Sequence, residues 1–214
     1  MSERNGGLAG MIGPAMFALI VVVLTALQYD FMVGLGWDPV GASDVPFPSA
    51  LALGPYGFLQ VLNFVLFGVM LIVFAAGLRR GVAAEGRASW ASPACLVVAG
   101  VASVLLAFKT DPHTSAKTHT WHGSIHLGAF LVLGLSMLAA MLFLWRRLEK
   151  DPAWRGYGWY SLVSAALALV LFFVPGQVAG YLFFAVLLVW VEVVAIRLRS
   201  LADGAARRGS PRVR

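Results

Sequence analysis

Apolar residues fall along this chain in six long blocks, separated by short polar stretches rich in glycine and proline. A helix that crosses a bilayer needs roughly 17–25 mostly apolar residues at about 1.5 Å each. The blocks predict helices over about residues 11–33, 57–78, 93–108, 121–145, 158–175 and 179–196. The expected fold is therefore all-α: a polytopic membrane protein, a bundle of six transmembrane helices forming one domain over residues 1–200. The third block is short, and Lys109 can lengthen it by reaching outward along the apolar surface. Ser92 and Pro93 read as its start, a capping serine followed by proline at the first helical position. Pro175-Gly176 reads as a tight turn between the last two helices. The first block is too long for a signal-peptide core, only Arg4 precedes it as a basic residue, and no small-x-small cleavage site follows. It is expected to remain as an anchor. Residues 201–214, rich in Gly, Ala and Arg, are expected to form a disordered basic tail.

Composition narrows the class. The 214 residues are 60% hydrophobic and only 12% charged, against about 25% charged in a soluble domain, and the mean hydropathy is +0.83. A soluble enzyme and a disordered protein are both excluded. The net charge of +6 is not spread evenly. With the N-terminus inside, one side of the membrane holds Arg4; then Arg79, Arg80 and Arg87; then Arg146, Arg147, Lys150 and Arg155; and then Arg197, Arg199, Arg207, Arg208, Arg212 and Arg214. Only Lys109 and Lys117 fall on the other side. That asymmetry predicts both termini in the cytoplasm and a location in the plasma (inner) membrane, with membrane lipid as partner. Basic residues distributed in this way set topology, and a nucleic-acid partner is not expected. Tryptophans fit the map, with Trp90, Trp145, Trp154 and Trp159 at inner boundaries and Trp37 and Trp121 at outer ones. Cys95 is alone and reads as a small hydrophobe.

Polar chemistry concentrates on the outer side. All four histidines lie between residues 113 and 126. His122 and His126 are four apart on one helix face, and His119 extends that face by a turn. His at i and i+4 lets one helix offer two nitrogens to a metal, so His119, His122 and His126 are candidate ligands for a divalent metal such as zinc. They begin a helix, where the dipole disfavours imidazolium and keeps the metal-binding neutral form. Asp111 is a candidate ligand or an orienting partner. The plainer reading is that such a cluster simply faces water and headgroups. Gln28, Asp30, Gln60 and Asn63 lie at the same depth, and with Ser49, Tyr56 and Ser124 they could line one polar cavity or hydrogen-bond between helices. Glu192, inside the last span, is a functional candidate or an interfacial charge. The pair Ser124 and Gly128 predicts a close helix contact.

The stretches Trp37-Asp-Pro, Ser49 through Gln60, Asn63-Phe, the Thr-Asp-Pro at 110–112, and Trp121 through His126 together resemble an uncharacterised prokaryotic membrane family, domain of unknown function 998. The resemblance covers roughly residues 10–198, with extra residues around Asp44 to Pro48. It implies a six-helix membrane protein and supplies no activity or cofactor. Ser49, Asn63, Asp111, His122 and His126 match positions of its pattern.

The residues expected to carry catalysis are Asp111, His122, His126 and Ser49, with Tyr56, Gln60, Asn63 and Trp121 binding substrate. The leading expectation is a membrane enzyme acting on a lipid or isoprenoid-like substrate, with or without a metal-generated hydroxide. The alternatives are a non-enzymatic binder or transporter of a hydrophobic small molecule, or a structural subunit of a membrane complex.

Overall fold

A computed structural model of the chain describes residues 2–82, 88–115, 117 and 119–209. Among these there is no strand. The helices are α1 (Glu3–Leu27), α2 (Tyr29–Gly34), α3 (Gly57–Gly81), α4 (Ala88–Leu105), α5 (Trp121–Leu148), α6 (Tyr157–Phe173) and α7 (Gln177–Gly209), with short 3-10 segments at Ser49–Leu53 and Pro152–Trp154. Four of them (α1, α3, α5 and α7) are long and apolar enough to cross a membrane, and α4 and α6 are shorter apolar helices. From α3 onward each helix packs on the next, while α1 packs against both α3 and α7. Large apolar side chains stand exposed around the outside, among them Leu19, Val22, Leu135, Val163, Val170 and Phe173. So wide an apolar exterior suits hydrocarbon, not water.

Four boundaries differ from expectation. Helix α1 begins at Glu3, where Ser2 accepts the amide of Asn5 as a cap. It then packs its early glycines onto neighbours: a Cβ at Gly77 of α3 would lie 2.6 Å from the Gly6 Cα. Helix α4 begins at Ala88, so Pro93 sits inside it and the Ser92 hydroxyl is buried without a partner. The first apolar block splits at Gln28, whose side chain is diverted to a loop. Helix α7 continues through residues 201–209, which were expected to be disordered. There Asp203 pairs with Arg4 at 3.4 Å and with Arg199, one turn earlier, at 3.7 Å. Arg87, Arg212 and Arg214, used in reading the topology, lie outside the described residues, as does the tail beyond residue 209.

Small residues set the helix crossings, but not at the expected Ser124–Gly128 pair. Gly68 and Gly100 do face each other: a Cβ on Gly100 would come within 2.7 Å of the Gly68 carbonyl. Gly128 meets nothing within 4 Å, so the Ser124–Gly128 pair makes no close crossing.

The two ends of the molecule differ. One end carries Arg4, Arg79, Arg80, Arg146, Arg147, Arg197 and Arg199, with Arg197 donating to the Ala153 carbonyl at 3.1 Å and Arg147 to that of Val82. The other end gathers residues 35–56, 106–120 and 174–176, and it holds the cavity described next.

Candidate functional site

Ser49 opens the 3-10 segment Ser49–Leu53, and this segment is fixed from several sides. Ala50, Leu51 and Ala52 are fully buried. The Ala50 amide donates to the Pro46 carbonyl at 2.7 Å. Gln28, 2% exposed, donates from Nε2 to the Leu51 carbonyl at 3.2 Å and accepts the Tyr56 amide on Oε1 at 3.0 Å. Gln28 is therefore a clamp on this loop and does not line the cavity described below. The clamp holds the Ser49 hydroxyl against α5.

His126, in the second turn of α5, receives it. The Nε2 of His126 lies 2.9 Å from Ser49 Oγ. Its Nδ1 faces two carbonyls, Leu106 at 3.1 Å and Phe108 at 2.7 Å. Carbonyls only accept, so Nδ1 carries the proton. In the neutral ring Nε2 is then the acceptor, and Ser49 donates to it. The two carbonyls lie just past the C-terminus of α4. Helix-end carbonyls lack internal partners and carry the negative end of the dipole, so α4 orients the ring and offers it partial negative charge. His126 is 4% exposed and Ser49 7%.

Asp111 forms a second constellation. It accepts from the Thr120 amide at 3.1 Å, the Thr120 hydroxyl at 2.6 Å and His119 Nδ1 at 3.1 Å. Thr120 caps α5 by accepting the Gly123 amide at 3.1 Å. The Asp111 carboxylate occupies the space that a side chain at position 123 would need, which is why a glycine stands there. These contacts, the Thr120 hydroxyl first and then His119, hold the Asp111 carboxyl below its ordinary range. Asp44 does the same work across loops. It accepts from Ser115 and from His113 Nδ1 at 3.0 Å, while its carbonyl accepts both the amide and the hydroxyl of Thr114 at 3.0 Å. The Ser115 hydroxyl and then His113 likewise lower the Asp44 carboxyl.

A cavity of about 470 Å³ joins these groups. Its polar part is lined by Ser49, His126, Asp111, His119, Asp44, His113 and Gln177, and its apolar part by Leu127, Phe130, Leu171, Phe172, Phe183 and Phe184. Gln177, the first residue of α7, ties this wall together by donating to the Ser43 and Val45 carbonyls, both at 3.0 Å.

The structure divides the expected site residues. Ser49, Asp111, His119 and His126 line the cavity. His122 does not: its Nδ1 donates to the Lys109 carbonyl at 2.8 Å, and Trp121 packs edge-on against its ring. Trp121 (69% exposed) and Tyr56 (45% exposed) stand outside the cavity. Gln60 and Asn63 are fully buried between helices, with Asn63 Nδ2 donating to the Phe17 carbonyl at 3.2 Å and to Gln60 Oε1 at 3.3 Å. Asp30 and Ser124 are exposed, and Glu192 lies far along α7 from the cavity. Among the described residues no group of three or more His, Cys, Asp or Glu side chains could hold a metal. His119, His122 and His126 each turn Nδ1 to a different partner, so the expected zinc-type triad is not formed. Asp44 and Gln177 were not anticipated, because nothing in the local pattern marks a residue that meets its partner only through folding.

The family model described as "Protein of unknown function (DUF998)" matches residues 11–199. No curated protein and no solved structure matches the chain.

Proposed function

Because the chain belongs to that family, whose description carries no activity, we propose from the site alone that it is a membrane hydrolase or acyltransferase of lipid esters, with Ser49 as nucleophile and His126 as base. One observation carries this reading: Ser49 Oγ donates to His126 Nε2 at 2.9 Å beside a cavity that is polar at one end and aromatic at the other. A nucleophile within hydrogen-bond reach of a base, with the base oriented by a third group, is the arrangement nucleophilic catalysis requires. The third group here is the carbonyl pair at the end of α4. It fixes the tautomer as an acid does in a triad, and its partial negative charge steadies the imidazolium that forms.

In the proposed step Ser49 Oγ attacks the ester carbonyl carbon while its proton passes to His126 Nε2. The ester C–O bond then breaks, the alcohol leaves, and an acyl-enzyme remains for water or a second alcohol to resolve. The cavity volume lies within the range of small-molecule sites, about 300–1,000 Å³. Phe130, Phe172, Phe183 and Phe184 suit an acyl or isoprenoid chain, and the Asp44–His113 pair suits a polar headgroup.

The chain is further proposed to cross the plasma membrane six times with both termini in the cytoplasm. Helices α4 and α6 would complete the spans of α1, α3, α5 and α7. The arginine-rich end supports this orientation, which turns the cavity to the extracytoplasmic side.

The test is turnover of long-chain acylglycerols by purified protein in mixed micelles. Ser49→Ala and His126→Gln should each lower the rate at least about 10³-fold while leaving the thermal midpoint within a few degrees. Equal rates in wild type and Ser49→Ala would overturn the reading. A second reading, a non-catalytic lipid binder, draws on a separate groove of about 510 Å³ between α1 and α7, lined by Val21, Val22, Pro48, Ala185 and Leu188 among others. Lipid that co-purifies without any turnover would favour it.

A further inference from the structure

The cavity holds two further imidazoles that the Ser49–His126 pair does not use, His113 on Asp44 and His119 on Asp111, and the second pair is packed against Gly123 of α5, the helix that carries His126. His119 Nδ1 lies 3.1 Å from Asp111 Oδ2, and His119 lines the same cavity as Ser49 and His126. Asp111 is not free to drift, since the Thr120 amide and hydroxyl both bond it and it fills the space above Gly123. Gly123 and His126 are three residues apart and share one face of α5. The Asp111 carboxylate therefore packs on α5 three residues before His126, about 4.5 Å along the axis. His119, its side chain 34% exposed, is held by that carboxylate on the cavity wall.

We infer that His119, held by Asp111, is the proton donor to the alcohol that leaves when Ser49 takes the acyl group. This assignment rests on the Ser49–His126 reading. His126 and His119 have partners suited to opposite roles. His126 is bonded through Nδ1 to carbonyls, so Nε2 is an acceptor that can take the Ser49 proton. His119 is bonded through Nδ1 to a carboxylate, an ion pair whenever the ring is protonated, and its Nε2–H is then a donor.

In acylation the Oγ–C bond forms as the Ser49 proton goes to His126. The C–O bond to the alcohol breaks as the alkoxide takes the proton of His119 Nε2. In deacylation water attacks the acyl carbon and gives its proton to His119, while Ser49 leaves the carbon and recovers its proton from His126. Ester and water become acid and alcohol, and both imidazoles return to their starting states.

The experiment compares p-nitrophenyl decanoate, whose leaving group departs without protonation, with monodecanoyl glycerol, whose leaving group needs a proton. Single-turnover release of the alcohol is measured for wild type, His119→Gln and Asp111→Asn in micelles. For His119→Gln the glyceryl ester should slow about 10²-fold or more, the usual size of general acid catalysis, while the nitrophenyl ester stays within about threefold. Asp111→Asn should show the same selectivity more weakly. Equal losses on both esters, or no loss on either, would overturn the assignment. Labelling of Ser49 by a decyl fluorophosphonate in His119→Gln serves as the structural control. Retained labelling is expected, and its loss in this variant alone would make His119 a support of the dyad and overturn its role as acid. Absent labelling in the wild type would remove the Ser49 reading itself.

Discussion

At the scale of residues, the site is built from histidines whose Nδ1 atoms are each committed and whose partners differ in charge. His126 is set by neutral carbonyls, His119 and His113 by carboxylates. The carboxylates have a consequence for stability. Asp44 and Asp111 are both held below the ordinary aspartate value of about 3.9 by hydroxyl and histidine donors. A carboxyl depressed by folding adds stability that is fully present above that ordinary value and is lost as pH falls through the depressed one. The thermal midpoint in detergent should thus be flat from pH 7 to about 5 and decline below about 4. Asp44→Asn with Asp111→Asn should flatten that acid limb, and an unchanged acid limb would show that other groups control it. Part of this site was legible in the residues. The sequence pattern points to Ser49, Asp111 and His126, which line the cavity, and also to His122, which does not, because helical spacing puts it on the face of His126 but cannot show the Lys109 carbonyl that draws it away. Gln28 stays open between cavity lining and hydrogen bonding in the sequence for a related reason: a polar residue in an apolar run looks the same whether it lines a cavity or clamps a loop.

At the scale of elements, span-length apolar runs made every long helix legible, because a bilayer demands length and apolarity whatever the partner. The ends were less so. Helix α1 extends back to Glu3 because Gly6, Gly7 and Gly10 let α3 and α7 approach it closely, a tertiary cause that a hydropathy window does not register. Helix α4 carries Pro93 inside it, five residues after Ala88. The glycines can be ranked by experiment. Gly77→Ala would set a Cβ 2.6 Å from the Gly6 Cα, where backbone cannot yield, and should cost about 1–3 kcal/mol. Gly128→Ala meets nothing within 4 Å and should be neutral or gain up to about 1 kcal/mol from helix propensity. Thermal or denaturant unfolding of the two variants in one detergent checks the order. A Gly77→Ala protein as stable as Gly128→Ala would mean that α1 and α3 do not cross there.

At the scale of the whole molecule, the same asymmetry accounts for the charge and for the chemistry. Arginines crowd one end, and the end that lacks them carries the cavity. In a Cys95→Ser background, a membrane-impermeant maleimide applied to intact cells should label Lys117→Cys and leave Lys150→Cys untouched until the cells are lysed. The reverse pattern would turn the cavity to the cytoplasm. Activation of Ser49 by His126 can be read from intact-mass analysis after reaction with decyl fluorophosphonate. A single adduct should map to Ser49, be absent in Ser49→Ala and form about 10²-fold more slowly in His126→Gln. No adduct at Ser49, or one that forms equally fast in His126→Gln, would contradict that activation.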